Sequence, residues 1–259
     1  MPLSDAHNHL QQFEDAGSIL AASLSSGVTR MIVNGTCEED WEEVAKLANQ
    51  HPGTIVPAFG LHPWQVPDRS PDWESRLRDW LQRFPQSILG ECGLDRWKEP
   101  FDLDDQTDCL RIQLQLALEL QRPVTIHCLK AWGPLAEVLR SFASLPPFLV
   151  HAFSGSREMA AELAHMGAYF SFNGYFLHER KASVRETYQS LPADRLLLET
   201  DAPSMLPPEE YRAITLPDEQ SHPANLTRFV TPLAELRGIS REELISLLEK
   251  NLANYLGEA

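Results

Sequence analysis

The stretch Ser4-Asp5-Ala6-His7-Asn8-His9-Leu10 forms the polar end of the first predicted strand, which covers residues 2–9. Side chains along a strand alternate between its two faces, so we expect Asp5, His7 and His9 to point in one direction. Two imidazoles and a carboxylate on one face are costly to bury unless they are paired, and a divalent metal ion removes that cost. A His-x-His segment by itself is more often solvated, so this interpretation depends on further metal-binding residues elsewhere in the chain.

The rest of the chain repeats a pattern in which a short apolar run precedes an amphipathic segment. This alternation is typical of parallel strands with helical crossovers, and eight strands are the number that closes a TIM-like (β/α)8 barrel of the α/β class. The predicted strands cover residues 2–9, 30–34, 54–60, 87–93, 123–127, 148–151, 168–173 and 195–200. The predicted helices include residues 39–50, 72–83, 103–120, 133–142, 156–165 and 240–255. Ser240 and Glu243 form a capping box at the start of the last helix, which is expected to cover the barrel.

Metal-binding and acid–base side chains recur where these predicted strands end. They are His7, His9, His62, Glu91, His127, His151 and Asp201. The carboxyl ends of the strands of a barrel meet at one face, where barrel enzymes keep their catalytic residues. Each residue alone has an ordinary structural explanation, such as a salt bridge for Glu91 or a turn for Asp201. Ordinary explanations do not account for all of them falling at one rim, so we expect a functional site there.

Composition limits the classes of protein that this chain can represent. Its 259 residues, 43% hydrophobic and 23% charged, are typical of a soluble globular protein, and we expect a single domain over residues 1–259. The absence of a long apolar run and of a signal peptide predicts a cytoplasmic protein with no membrane association. The four cysteines form no CxxC pair and are expected to be reduced. A net charge of −15 argues against broad attraction to polyanions, and no protein partner is evident.

Several segments together resemble the TatD family of metal-dependent hydrolases, which lies in the amidohydrolase superfamily. They follow the family's order and spacing: DAHNHL at 5–10, GLHP at 60–63, GECGLD at 90–95, IHC at 126–128, HAFSG at 151–155 and LLETDAP at 197–203. The segment NLANYLG at 251–257 is similar to the family's C-terminal helix. The resemblance therefore extends over essentially the whole chain.

This resemblance implies two divalent metal ions on the catalytic face of the barrel. The implied ligands are His7, His9 and Asp201 for one metal, His127 and His151 for the second, and Glu91 as a bridge between them. Other amidohydrolases often bridge their metals with a carbamylated lysine, and Glu91 in that position separates this chain from a dihydroorotase-like enzyme. Imidazole and carboxylate ligands suit zinc or manganese better than magnesium. The resemblance to the family does not exclude magnesium as the metal.

The resemblance also implies a deoxyribonuclease that hydrolyses phosphodiester bonds from the 3′ end of DNA. Two metals neutralise the phosphate and activate water, and Asp201 is suited to accept the proton of that water. We expect single-stranded or frayed 3′ ends as the substrate, because the chain is acidic and the barrel mouth is narrow. Two alternatives are hydrolysis of another bond by the same metals, such as an aminoacyl-tRNA ester or an amide, and a scaffold without catalysis. The complete ligand set disfavours the scaffold.

Substrate contacts are less specified by the sequence than metal ligands are. His62 is a candidate for substrate binding at the end of the third strand. Many family members carry an arginine after the fifth-strand histidine, and Lys130 is the cation available here, as a point charge without the bidentate fork. His222 lies in a loop near the active face, where the family usually has Asn-Glu-Pro. This departure from the family pattern is a candidate cause of a different substrate preference. Trp64 and Trp97 are candidates for base stacking, although tryptophans in loops more often pack against the protein.

Overall fold

The computed structural model describes residues 2–258. Its strands are β1 (Leu3–Asn8), β2 (Val28–Asn34), β3 (Ile55–Phe59), β4 (Ile88–Asp95), β5 (Val124–Leu129), β6 (Phe148–Val150), β7 (Tyr169–Asn173) and β8 (Leu196–Glu199). Neighbouring strands pair in parallel, and their order in space is their order in the chain. All eight predicted strands are present, with ends that differ from the predicted ones by no more than two residues.

The first and last strands meet and bring the sheet round into a barrel. The backbone N–H of Asp201 donates to the carbonyl oxygen of His7 at 2.9 Å, and the N–H of His9 donates to the carbonyl oxygen of Ala202 at 2.8 Å. The predicted TIM-like barrel is therefore confirmed. These two bonds also place Asp201 directly beside the His-x-His segment, although almost 200 residues separate them in the sequence.

Helices surround the strands. They are α1 (Ala16–Ser25), α2 (Trp41–Gln50), α3 (Trp73–Arg83), α4 (Leu103–Leu120), α5 (Trp132–Arg140), α6 (Arg157–His165), α7 (Ala182–Ser190), α8 (Leu226–Arg237) and α9 (Arg241–Leu256). Helices α1, α7 and α8 are not among the helices predicted from the sequence. In α8 the interior Pro232 argues against a helix locally, and burial of Phe229, Val230 and Leu233 outweighs that cost. Within residues 2–258, none of the helices combines the length and the apolar character that a membrane span requires.

The hydrophobic core has two parts, one between the strands and helices and one inside the barrel. The inner part contains Ala6, Ile32, Val56, Ala58, Ile88, Leu149, Tyr169 and Leu197 from the strands, together with Leu252 and Tyr255 from α9. The hydroxyl of Tyr255 lies 3.1 Å from that of Thr125 near the start of β5, so α9 covers the amino-terminal end of the barrel. The predicted capping box of α9 is present: the side chain of Ser240 accepts from the N–H of Glu243 at 3.2 Å.

The expected alternation along β1 is wrong at its centre. Asp5 does not share a face with His7 and His9, because its carboxylate accepts a hydrogen bond from Asn8 Nδ2 at 3.2 Å, while Ala6 lies in the inner core. The pairing register between β1 and β2 shifts between Asp5 and Asn8. This irregularity breaks the two-residue period, so that Asp5 is removed from the metal-binding face and both histidines remain on it.

Candidate metal centre

Glu91, near the middle of β4, lies at the centre of a group of buried polar side chains at the carboxyl end of the barrel. We call this group the Glu91 cluster; it consists of His7, His9, His62, Glu91, His127, His151 and Asp201. All seven residues were selected from the sequence, and the fold brings them into one group. The two carboxylate oxygens of Glu91 face different sides of the cluster, which divides it into two donor sets.

The first donor set consists of two imidazole nitrogens that lie 3.3–3.4 Å from each other and from an oxygen of each of two carboxylates. Glu91 Oε2 is 3.4 Å from His7 Nε2 and 3.3 Å from His9 Nε2. Asp201 Oδ1 is likewise 3.4 Å from His7 Nε2 and 3.3 Å from His9 Nε2, and the two imidazole nitrogens are 3.3 Å apart. Ligands about 2.0–2.1 Å from one tetrahedral ion are separated by about 3.3–3.4 Å. The spacing of the first donor set therefore fits a divalent metal ion.

The second donor set surrounds the other oxygen of Glu91. Its Oε1 lies 2.8 Å from His151 Nε2 and 3.1 Å from His127 Nδ1, and these two nitrogens are 3.3 Å apart. The rings of His151 and His7 are stacked with centroids 3.9 Å apart, so the two donor sets are adjacent. The structure thus gives Glu91 the geometry of a bridging carboxylate.

Hydrogen bonds at the far side of two rings determine which nitrogen carries a proton. His9 Nδ1 lies 2.8 Å from the carbonyl oxygen of Asn34, which can only accept, so Nδ1 is a donor and Nε2 is the nitrogen that is free to bind a metal ion. His127 Nε2 lies 2.9 Å from the Asp95 carboxylate, and by the same argument Nδ1 is the nitrogen that is free to bind a metal ion. In both residues this nitrogen faces Glu91, and its lone pair becomes available when a metal ion replaces the proton.

His62 has the opposite arrangement. Its Nδ1 accepts a hydrogen bond from the backbone N–H of Trp64 at 3.1 Å, so the proton of the neutral ring is on Nε2. Burial lowers the pKa of His62 to about 3, despite the nearby charge of Glu91, and the ring is therefore neutral near pH 7. Its Nε2 lies 3.5 Å from Glu91 Oε1, so His62 presents an N–H donor to the second donor set and not a lone pair.

Electrostatics in the cluster favour positive charge. Burial raises the pKa of Glu91, but the imidazoles, led by that of His151, outweigh burial and hold the pKa well below its usual value. Burial lowers the pKa of His9, but the carboxylates of Asp201 and Glu91 outweigh it and raise the pKa to about 10. A buried pair of carboxylates therefore attracts cations, and a divalent ion would replace the protons that the imidazoles otherwise hold.

Close approach of β4 and β5 is needed to bring Glu91 and His127 together, and Gly93 permits it. A Cβ atom at Gly93 would lie 1.9 Å from the carbonyl oxygen of His127, far inside contact distance. Gly93 also has a φ of 149°, which side-chain-bearing residues rarely adopt. The glycine two residues after Glu91 is therefore a requirement of the second donor set.

Two carboxylates that support the ligands were not selected from the sequence. Asp95 holds His127 as described, and Glu199 lies 3.6 Å from His151 Nδ1. Glu199 is fully buried and accepts hydrogen bonds from the hydroxyl of Ser171 and from Asn173 Nδ2, the latter at 3.2 Å. The alternation of side chains along a strand could have identified both residues, because an even number of residues separates each from a predicted ligand. Asp95 is four residues after Glu91, and Glu199 is two residues before Asp201.

The remaining residues predicted to contact substrate have different environments. Lys130 is exposed, with a φ of 57°, and among the described residues it makes no hydrogen bond to the Glu91 cluster. His222 is buried, and its Nδ1 accepts from the backbone N–H of Ala224 at 2.9 Å, so it caps the short 3-10 helix Pro223–Asn225. Trp64 and Trp97 are 37% and 56% exposed at the rim of the barrel.

Comparison with known proteins identifies the family of this chain. The family described as TatD related DNase matches residues 4–257 of the chain. A protein named 3'-5' ssDNA/RNA exonuclease TatD from Pantoea vagans is 32% identical over 239 residues, which cover 92% of this chain and 91% of the relative. Its namesake from Pantoea ananatis is 31% identical over 245 residues, which cover 94% of each chain.

A solved structure of a TatD homologue has the same fold as this chain. YjjV, a TatD homologue from Escherichia coli K12, superimposes with a TM-score of 0.88 at 28% sequence identity, and the match covers 98% of this chain and 97% of that one. The family match spans nearly every residue, including all members of the Glu91 cluster. This chain therefore belongs to the TatD related DNase family.

Proposed function

We propose that this protein is a metal-dependent 3′-to-5′ exonuclease that hydrolyses phosphodiester bonds of single-stranded DNA. The observation that carries the proposal is the division of the Glu91 carboxylate between two donor sets, with Oε2 facing His7 and His9 and Oε1 facing His127 and His151. Two cations beside one shared carboxylate suit a reaction in which both the attacking and the leaving oxygen of a phosphodiester carry charge. We also propose that the site binds two metal ions.

The donor chemistry fits zinc or manganese better than magnesium, because imidazole nitrogens make up half of the first donor set and two of the three atoms of the second. In the proposed assignment the first donor set holds one ion and the second holds the other. Bound there, the ions would neutralise the phosphate and lower the pKa of water. His9 and His127 are oriented as ligands before any ion binds, because Asn34 and Asp95 fix their rings.

Two side chains of the cluster are suited to move or hold protons. Asp201 presents one oxygen to His7 and His9, and its second oxygen is available to accept a proton from the attacking water. Burial raises the pKa of Asp201, but its hydrogen bonds with His7 and His9 outweigh burial and hold the pKa well below its usual value, so the carboxylate is ionised. His62 presents a neutral N–H that can donate to a phosphate oxygen.

The substrate class is supported by the names of the relatives from Pantoea, which describe 3'-5' ssDNA/RNA exonucleases. A net charge of −15 gives the chain little general attraction for duplex DNA, so the charge of the metal centre has to hold the phosphate. We propose single-stranded or frayed 3′ ends as the preferred form, with Lys130 as an additional cation at the rim. Hydrolysis of an aminoacyl-tRNA ester or an amide is not favoured, because the relatives carry exonuclease names.

The decisive experiment is digestion of a 3′-labelled and a 5′-labelled oligonucleotide, with metal content measured on the same preparation. We expect stepwise shortening from the 3′ end, loss of activity with chelator, and recovery on addition of zinc or manganese. Blunt duplex should be degraded more slowly than single strand, and activity should fall as salt rises. Cleavage of an aminoacyl ester without cleavage of the oligonucleotide would overturn the proposed function.

A further inference from the structure

Two exposed tryptophans lie next to the metal centre. Trp64 follows β3 and Trp97 follows β4, and they are two of the four large hydrophobic side chains that are exposed within residues 2–258. Their ring centroids are 6.5 Å apart with an angle of 32° between the planes. We call this pair, together with Lys98, the tryptophan platform. Lys98 Nζ lies 4.5 Å from the centroid of the Trp64 ring.

Hydrogen bonds from two backbone N–H groups join the tryptophan platform to side chains of the metal centre. The N–H of Trp64 donates to His62 Nδ1 at 3.1 Å, and the N–H of Trp97 donates to Asp95 Oδ1 at 2.6 Å. The other oxygen of Asp95 holds His127. The Trp64 ring is also 5.0 Å from the ring of His62 and 6.3 Å from that of His127. The platform is therefore held at a fixed position beside the second donor set.

Packing of the loops does not account for the exposure of these rings. Trp41 is fully buried and Trp73 is 6% exposed, whereas Trp97 keeps 56% of its surface in water. Lys98 covers one face of Trp64 by a cation–π contact, which leaves Trp97 as the more open ring. An exposed indole beside a phosphodiester-hydrolysing site fits a planar, uncharged group attached to that phosphate, which is a nucleobase.

We propose that Trp97, supported by Trp64, stacks one nucleobase of the single-stranded substrate next to the phosphodiester that is cleaved, with the Lys98 ammonium near the adjoining phosphate. This inference rests on the proposed nuclease function. Stacking supplies affinity that the acidic surface does not, since the net charge is −15. It tolerates any base, because every base offers a π-face, and it requires an unpaired base whose face is free.

The test pairs an altered substrate with an altered enzyme. Single-stranded oligonucleotides carry an abasic residue at the 3′-terminal or the penultimate position, and kcat/KM is compared with that of the intact oligonucleotide. The parent should prefer the intact substrate by roughly 5- to 150-fold at one of these positions, the range for stacking of one base. Trp97→Ala should reduce this preference to near one, whereas Trp97→Tyr should retain most of it. Ile239→Ala, at an exposed apolar residue between α8 and α9, serves as the matched control and should keep the full preference.

A binding measurement separates failure of this inference from failure of the nuclease proposal. Titration of an intact oligonucleotide with cleavage-resistant phosphorothioate linkages, with metal present, should quench tryptophan fluorescence in the parent and much less in Trp97→Ala. If the parent cleaves intact and abasic substrates equally at both positions, stacking is wrong while the nuclease function stands. If the parent cleaves neither substrate, the nuclease proposal fails. Trp97-dependent quenching would then still support the tryptophan platform as a base-binding surface, and its absence would overturn that role.

Discussion

His127 and Asp95 are joined across neighbouring strands by a hydrogen bond of 2.9 Å between Nε2 and Oδ2. The second oxygen of Asp95 accepts from the backbone N–H groups of Trp97 at 2.6 Å and Lys98 at 3.0 Å. Burial raises the pKa of Asp95, but these hydrogen bonds, led by that of His127, outweigh burial and hold the pKa well below its usual value. An ionised Asp95 can only accept, so it holds the proton on His127 Nε2 and leaves Nδ1, which faces Glu91, as the nitrogen that binds a metal ion when its proton is lost.

Replacing Asp95 by asparagine tests this control of the His127 tautomer. The Asn amide can still accept from the two backbone N–H groups, but its NH2 group would then face Nε2 and favour the tautomer with the proton on Nδ1. That tautomer has no lone pair toward Glu91. We expect Asp95→Asn to weaken metal binding and oligonucleotide cleavage by about 10- to 100-fold while the protein stays folded. Metal titration and circular dichroism on the same preparation check both parts, and unchanged metal affinity would contradict the tautomer argument.

The bridging role of Glu91 predicts an effect on both donor sets. Glu91→Gln keeps the volume of the side chain but removes its negative charge and one oxygen. We expect loss of both metals and a fall in cleavage rate by orders of magnitude, whereas His127→Ala should lose mainly one metal. Metal stoichiometry by mass spectrometry, measured beside oligonucleotide cleavage, distinguishes the two variants.

Cys92 provides the matched control for Glu91, because it is the next residue of β4 and points into the outer core. It is fully buried, and its Sγ lies 3.6 Å from the carbonyl oxygen of Thr125. Cys92→Ser should retain metal and most activity and should lose some stability. The site assignment fails if Cys92→Ser loses metal while Glu91→Gln binds metal and cleaves like the parent.

The donor role of His62 predicts a separation of metal binding from activity. In His62→Asn the amide oxygen can still accept from the N–H of Trp64, as Asn does at helix N-termini, but the Nε2–H donor is lost. We expect unchanged metal content and a fall in kcat of roughly 10- to 100-fold, typical of removing one donor to developing charge. Loss of one metal in this variant would show that His62 is a ligand.

Removal of metal should lower the thermal stability of the protein without unfolding it at room temperature. The ligands lie at strand ends held by the barrel, so the donor sets exist before metal binds, and binding to the folded state alone stabilises it. At a hundredfold excess of free metal over its dissociation constant the stabilisation is about 2.7 kcal/mol, or roughly 5–10 °C in melting temperature. A melting curve that does not move on chelation, in a preparation confirmed to lose its metal, would count against the site.

His222 predicts a loss of stability in acid. Burial lowers its pKa from 6.5 to about 4, so between these values the unfolded chain binds more protons than the folded protein. Its contribution to the free energy of unfolding is therefore complete above pH 6.5 and is lost as pH falls toward 4, by on the order of 1–2 kcal/mol. His222→Asn keeps an acceptor for the N–H of Ala224 and removes the titration, so its stability should fall less over this range.

Denaturant unfolding of the parent and His222→Asn at pH 4.5 and pH 7 measures this difference. His165→Asn, at an exposed histidine near the end of α6, is the control for loss of an imidazole as such. Equal losses of stability in all three proteins would remove His222 from the explanation.

Much of the fold and of the Glu91 cluster was predictable from local sequence. The apolar runs located all eight strands, and the polar residues near their predicted carboxyl ends included every member of the cluster, because parallel strands of a barrel end at one face; Glu91 differs in lying near the middle of β4 as the structure has it. In the structure, alternation along β4 places Glu91 in the cluster and Cys92 in the outer core. The helix α8 was less accessible, because Pro232 opposes helix formation locally and only packing of the buried face outweighs it.

The sequence by itself determined the chemical inventory of the site, since residue type and strand ends specify which donors gather at one rim. Only the tertiary structure decided which atoms face one another. Asp5 does not lie on the metal-binding face because the pairing of β1 with β2 shifts. His62 presents a donor to the site because its Nδ1 accepts a hydrogen bond from the backbone N–H of Trp64. These properties depend on hydrogen-bond partners and strand register, which form when distant segments pack together, and a residue's own neighbours in the chain do not specify them.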